Sequence, residues 1–367
     1  MSEYQSNDSA ANPHILVTPR LIIEDVNTAA GALVWGFPSI SSFVGFSVAL
    51  ERSSAAQQHG VMITGVGVIH HDHTHHVYGK KGFKLFCLNA KPLNQSGKTD
   101  GIVQEARMRL EASFIFEIVF KDGLQKTADE LNHISLSLWK QIQQMRICGG
   151  RPNAAGRGLK NPILEPISSG EEGSEQETHA VQMRRLARPL MPGFALVGRA
   201  GLLTSHTAKY TEENPGSTNF DAFLDLCSRK YRCVKENTKF IWEAEARKGW
   251  IVPIGVGFAP ITKVFEPGVV SGARDDQTPL CVVEPVYSIG EFVSPHRIQN
   301  AESIFWRFDL EAYEKHQLYI SRNDHEATLR SADDILEAEF AEENTAVITA
   351  ASGAEEALNA LKELEPT

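Results

Sequence analysis

Apolar and polar positions alternate along "HILVTPRLIIED". Ile15, Val17, Pro19, Leu21 and Ile23 fall on one side, with Leu16, Thr18, Arg20, Ile22 and Glu24 on the other. That period predicts a strand with two usable faces, and Pro19 marks a bulge or an edge position. "WGFPSISSFVGFSVAL" changes the period: Ile40, Phe43, Val44 and Ser47 follow Pro38 at helical spacing, and proline is well tolerated in a first turn. "VMITGVGVIH", "FKLFCL" and "EASFIFEIVF" read as further strands. "TADELNHISLSLWKQIQQM" reads as a helix with Leu131, Ile134, Leu138 and Ile142 on one face.

The order β-α-β-β-β-α predicts an α+β fold. It is close to a ferredoxin-like, RNA-recognition-motif core, with a long excursion between the third and fourth strands. After Met145, "RICGGRPNAAGRGLKNPILEPISSGEEGSEQE" is dominated by Gly, Pro, Ser and Asn and reads as loop. "RRLARPLMPGFALVGRAGLL" restores structure, "FDAFLDLCSRKY" predicts a short helix, and "WIVPIGVGF" and "LCVVEPVYSI" predict strands. A helix is expected to start at "SPHRIQNAESIFW", with Ser294 as N-cap and Pro295 in the first turn. Four regions follow. Residues 1–12 are a disordered lead-in, and 13–200 are the core, with a glycine-rich loop and an insertion near 147–183. Residues 201–323 are a helical and strand extension completing the body, and 324–367 are an acidic tail, expected to be disordered.

Charge changes the picture once it is divided. The chain of 367 residues has 36 basic and 46 acidic side chains. From Asp324 onward there are twelve acids against Arg330 and Lys362, and subtracting these leaves 34 of each sign in the first 323 residues. The body is neutral, so an overall pI of about 5.7 does not exclude nucleic acid. Ala354, Ala357, Leu358 and Leu361 trace a short amphipathic turn pattern within the tail, readable as a transient helix or a docking peptide. No apolar run approaches the roughly 18 residues that span a bilayer, and the polar start lacks a signal-peptide pattern. The five cysteines form no CxxC pair and fit a reducing cytoplasm.

Candidate chemistry is sparse. "HHDHTHH" sets His70, His71, His73, His75 and His76 at the end of a strand. Alternation would send His71, His73 and His75 to one side. No second ligand cluster accompanies them, so the tract reads as a solvated turn and no metal is expected. "GVGVIH" lacks the third glycine of a dinucleotide fingerprint and lies inside a strand. There is no GxSxG, no catalytic-cysteine signature and no phosphate loop. No catalytic residue and no cofactor are expected.

The basic and aromatic clusters carry more. "YGKKGFKLF" interleaves Lys80, Lys81 and Lys84 with Tyr78, Phe83 and Phe86. That is the mixture of an RNA-binding sheet, and equally of an edge strand protected by lysines. "MRICGGRPNAAGRGLK" presents Arg146, Arg151, Arg157 and Lys160 beside Gly149 and Gly150, whose backbone can approach phosphates, unless the run is a plain linker. "MRRLARPL" clusters Arg184, Arg185 and Arg188, the first and last on one helical face. "SPHR" puts His296 and Arg297 beside a helix start, an anion site or a simple cap.

Taken in order, "LVTPRLIIEDVNTAAGALVWGFPSISSFVGF", "KLFCLNAKPLN", "IVQEARMRLEASF", "MRICGG", "RRLARPLMPGFALVGRAGLL", "FLDLC", "GWIVPI", "PGVVSGARDDQTPL" and "GEFVSPHR" resemble the Csy-two proteins. These are the Cas-five-like subunits of type I-F CRISPR surveillance complexes. The resemblance covers roughly residues 14 to 320. It implies a RAMP-superfamily protein with a ferredoxin-like core and an inserted thumb, binding the five-prime handle of CRISPR RNA. It implies a heterodimer with the large Csy-one subunit, contact with the Csy-three backbone, target DNA met only through the assembled complex, and no membrane partner. Processing of the RNA falls to another subunit of that family; a ribonuclease of the same superfamily is the alternative. The matched positions Lys84, Phe86, Arg146, Gly149, Gly150, Arg151, Arg184, Arg185, Arg188, His296 and Arg297 are the implied RNA contacts. Trp35, Gly36, Phe37 and Pro38 also match, as core or subunit interface. The histidine tract is richer than the family requires, and the acidic tail lies beyond the resemblance.

Overall fold

The strand expected over "HILVTPRLIIED" is divided in two, β1 (His14–Val17) and β2 (Leu21–Asn27), at Pro19, which has no N–H for a ladder. This computed structural model describes residues 12–79, 83–89, 96–98, 103–168, 178–236, 239–245, 249–273 and 275–327. The lead-in up to residue 11 and the acidic tail from 328 lie outside them. Residues up to Asp324 form one unit, and those from His325 belong to a second.

Helix α1 (Ile40–Glu51) follows, with Ile40, Phe43, Val44 and Ser47 buried as the spacing requires. A short α2 (Ser54–Gln58), capped by Ser53, leads into β3 (Val61–His75). Between β3 and the next long strand, the described residues hold only two-residue strands: β4 (Val77–Tyr78), β5 (Leu85–Phe86), β6 (Leu88–Asn89) and β7 (Val103–Gln104). "FKLFCL" is therefore part of the excursion and not a core strand. β8 (Arg107–Phe120) is the long third core strand. It feeds α3 (Ala128–Ile142), whose start is fixed by a capping box between Thr127 and Glu130. The glycine-rich segment read as loop then contains β9 (Arg151–Ala154) and β10 (Ile163–Pro166). Both lie at the sheet edge, where proline is tolerated, which is why their composition concealed them.

β8 pairs with β3 on one side and with β1 and β2, end to end, on the other; β10 pairs with β1 and β9 with β2. With β1–β2 counted as the first strand and β9–β10 as the fourth, the spatial order is 4-1-3-2 and all neighbours are antiparallel. The chain is thus mixed α+β. α1 and α3 cover one face, packing Phe43, Phe46, Leu131 and Leu138 on Leu16, Phe114 and Phe116. Phe114 is fully buried, with the rings of Phe43, Phe46 and Phe116 within 6.1 Å of its own. Truncating it to alanine costs about 3–5 kcal/mol.

The opposite face is covered by α4 (His179–Ala187), whose Met183 and Leu186 meet Ile15, Val17, Ile69 and Ile115. β11 (Phe194–Gly198), α5 (Ala200–Glu213) and α6 (Asn219–Cys227) come next, then a separate hairpin of β12 (Tyr231–Glu236) and β13 (Lys239–Ala244). β14 (Ile251–Pro260), β15 (Val283–Val293), β16 (Trp306–Phe308), α7 (Leu310–His316) and β17 (Tyr319–Asn323) complete the body. The sheet runs on from β3 through β11, β15, β14, β17 and β16, and returns to β3 where Val66 pairs with Trp306. The helix expected from "SPHRIQNAESIFW" is instead two 3-10 turns, Pro295–Arg297 and Ala301–Ile304, followed by β16. The second turn lies on the glycines of "GVGVIH": a Cβ at Gly65 would stand 2.9 Å from Phe305 and one at Gly67 3.0 Å from Ile304. Those glycines make room for packing, not for a nucleotide.

Candidate nucleic-acid interface

The histidine tract is strand, not solvated turn. β3 stays paired with β8 as far as His75, and a bulge between His70 and Asp72 shifts the alternation. His71, His73 and His75 therefore do not share a side. His70 Nε2 lies 2.9 Å from His73 Nδ1, and the His73 ring stands edge-on to His75 at 4.9 Å. His71 instead faces the carbonyl of Pro192 through Nδ1 (2.8 Å) and Ser113 Oγ through Nε2 (2.9 Å). A carbonyl only accepts, so the proton sits on Nδ1 and Ser113 donates to Nε2. His70 is 5% exposed, among Phe37, Phe292 and Trp250. Burial, then the neighbouring His73 and His71, push its pKa down to about 4. Burial also lowers His71 to about 4, opposed by the Pro192 carbonyl and assisted by Arg20. These two imidazoles are neutral near pH 7 and offer phosphate no charge. Among the described residues, no three His, Cys, Asp or Glu side chains are placed to hold a metal ion.

The glycine loop is tied down. Ile147 and Gly150 exchange backbone hydrogen bonds of 3.1 and 2.8 Å, and Asn27 N–H donates to the Cys148 carbonyl at 3.0 Å. Gly149 takes φ 85°, and a Cβ at Gly150 would lie 2.5 Å from the Glu24 carbonyl, so this crossing of β2 requires glycine. Beside the loop an open pocket of about 670 Å³ is lined by Asn27, Ser42, Gly45, Arg107, Arg146 and Gly149, among others. Arg107 donates to Glu105 (3.1 Å) and to the Asp25 carbonyl (3.2 Å). Arg146 and Arg151 are exposed and have no partner among the described residues. Arg157 differs: its Nε and Nη2 donate side by side to the two carboxylate oxygens of Glu111, and Arg20 lies 3.6 Å from the same carboxylate. Burial pushes the Glu111 carboxyl up, but Arg157 and Arg20 outweigh it and hold it below its usual value.

β5 pairs with β4, leaving Lys84 exposed and Phe86 half-buried, edge-on to Trp35 at 4.9 Å. Trp35 is in turn edge-on to His75 at 5.4 Å. Lys80, Lys81 and Gly82 lie outside the described residues. Cys87 N–H donates to the His76 carbonyl, and Glu105 N–H to the Cys87 carbonyl, so this hairpin sits at the same end of β8 as the pocket. Lys84, Phe86, Arg146 and Gly149 thus gather at one end of the sheet, on the α1 side.

The second group is on the α4 side. Thr178 caps α4, and Arg184 and Arg188, one turn apart, point to solvent with no partner among the described residues. Arg185 is held by Glu165 of β10 through two bonds of 2.7 and 3.1 Å. The turn Pro295–Arg297 packs against α4 and presents His296 and Arg297, both exposed. Ser294 does not cap it; its hydroxyl meets His296 Nδ1 at 2.8 Å. The arrangement is a rim of exposed guanidinium groups carried on a helix and a turn packed against it, suited to successive phosphates. The sequence reading overlooked Arg107, whose only signal was its place at the start of a strand beside the glycine loop.

The family model for "CRISPR-associated protein (Cas_Csy2)" matches residues 16–321. The chain is 34% identical over 307 residues to the CRISPR-associated protein Csy2 of Pseudomonas aeruginosa (strain UCBPP-PA14), a match covering 80% of this chain and 90% of that protein.

Proposed function

From the premise that the chain belongs to the CRISPR-associated Csy2 family, we propose that it is a non-catalytic RNA-binding subunit of a type I-F surveillance complex. It holds the five-prime handle of the guide RNA. Paired with the large Csy-one subunit beside the Csy-three backbone, it caps one end of the particle and meets target DNA only through that assembly. Its place of work is the cytoplasm; among the described residues no helix is long and apolar enough to cross a membrane.

The observation that carries this reading is the α4 rim. Arg184, Arg188 and Arg297 spend their charge on no carboxylate among the described residues, while Arg20, Arg157 and Arg185 each meet a carboxylate and Arg307 meets two. Arginines kept open on rigid elements suit an RNA backbone, and nearby unpaired bases supply specificity. The strand order 4-1-3-2, with helices joining its first to second and third to fourth strands, supports a ferredoxin-like core of RAMP type. A histidine base working near pH 7 needs a pKa close to 7, and His70 and His71 at about 4 are poorly matched to the ribonuclease alternative.

The test is the triple variant Arg184→Glu, Arg188→Glu, Arg297→Glu, titrated with handle RNA over a range of salt. Affinity should fall at least on the order of a hundredfold, with a salt dependence flatter by about 0.7 for each phosphate no longer neutralised. Unchanged affinity and slope would remove the rim from the site.

A further inference from the structure

The hairpin β12–β13 stands apart from the main sheet, pairing only with itself among the described strands. Its register places Tyr231 opposite Ala244, Cys233 opposite Trp242 and Lys235 opposite Phe240, so these six side chains share one face. Phe240 and Trp242 are each 72% exposed and Tyr231 is 52% exposed. Neither Phe240 nor Trp242 has an aromatic neighbour among the described residues. A two-stranded hairpin is marginal in water, and spending its largest apolar rings on solvent needs a reason beyond folding.

Charge on the two faces decides what the rings meet. The aromatic face carries the Lys235 ammonium and no carboxylate, and the Arg229 guanidinium lies 5.7 Å over the Tyr231 ring at its base. Glu243 falls on the other face, opposite Arg232, and Glu245 lies 3.6 Å from Arg232. Rings two residues apart on a strand are spaced about 6.8 Å. That is twice the ~3.4 Å step between stacked bases, the spacing that a single base inserted between Phe240 and Trp242 requires. We infer that this face is a stacking site for unpaired nucleobases of a single-stranded nucleic acid, with Lys235 on its backbone. The site is carried by elements other than the α4 rim and does not rest on the handle reading.

The test uses the full chain, titrated with a twelve-residue oligouridylate while tryptophan emission is followed. Quenching is expected, with affinity lower on the order of tenfold for each ring removed in Phe240→Ala and Trp242→Ala. Phe240→Tyr should restore binding, and unchanged thermal unfolding of the alanine variants keeps the comparison about stacking. The variant Arg184→Glu, Arg188→Glu, Arg297→Glu should keep the quenching, which separates this site from the rim. Alanine variants that bind oligouridylate like the parent would overturn the inference. So would a duplex of equal length that quenches equally, or alanine variants that lose only their association with other subunits, marking the face as a protein-binding surface.

Discussion

Arg184 and Arg185 are adjacent on α4 and end in opposite circumstances. One stands open to solvent; the other is clasped by Glu165. The same contrast separates two regions of the body. Around Glu111, on the sheet face that His71 and Ser113 share, the cations have partners: Arg20 and Arg157 share one carboxylate, and Arg20 also donates to the Met191 carbonyl at 2.7 Å. Along the rim of α4 and the 295–297 turn, guanidinium groups stand on ordered elements but are left unanswered. A paired arginine fastens the fold, while an open one is available to a ligand. Residue type alone does not say which is which.

The largest effect expected from breaking this contrast is on the paired side. Glu111→Ala strands the buried Arg20 and should cost about 3–5 kcal/mol in denaturant unfolding. Arg157→Ala should cost far less, because its side chain is 60% exposed. A smaller loss for Glu111→Ala than for Arg157→Ala would refute this account of the network. Next comes the triple rim variant, whose effect should appear in RNA affinity with unfolding midpoints unchanged.

Acid should weaken the fold through the buried imidazoles of His70 and His71 and leave the rim arginines charged. His71 has its ordinary pKa when unfolded and about 4 when folded, so below pH 6.5 the unfolded chain takes up protons that the fold refuses. Stability is complete above about 6.5 and declines as pH falls toward 4, by about 1–2 kcal/mol at pH 5 from this residue. Melting curves of the parent and of His71→Gln should diverge over that window; parallel curves would exclude His71 as the titrating group. The smallest effect belongs to Arg185→Glu. It should cost at most about 1 kcal/mol, because the pair is partly exposed, and leave the salt slope of RNA binding as it was. A slope as flat as that of the triple variant would erase the distinction between neighbours on α4.

Much of the core was legible as pattern. Strand-like apolar runs marked β3, β8, β14 and β15, and Leu131, Ile134, Leu138 and Ile142 all proved buried on one face of α3. Where the reading failed, the cause was an interaction between distant segments. β9 and β10 are short, proline-bearing edge strands that exist because β2 and β1 offer them a ladder, and no local period announces them. A single bulge after His70 put His73 and His75 on the side of His70 and away from His71, since one extra residue inverts everything beyond it.

By itself the sequence determined the α+β class, the neutral body with its acidic tail, and which loops and helices hold the cations. Only the tertiary structure decided that Arg157 and Arg185 are committed to carboxylates while Arg184, Arg188 and Arg297 are open, and that Phe240 and Trp242 are bare. Periodicity follows from backbone geometry along a few neighbouring residues. Charge pairing and burial depend on residues as far as 190 positions apart, as between Arg307 and Glu117, and folding alone brings those together.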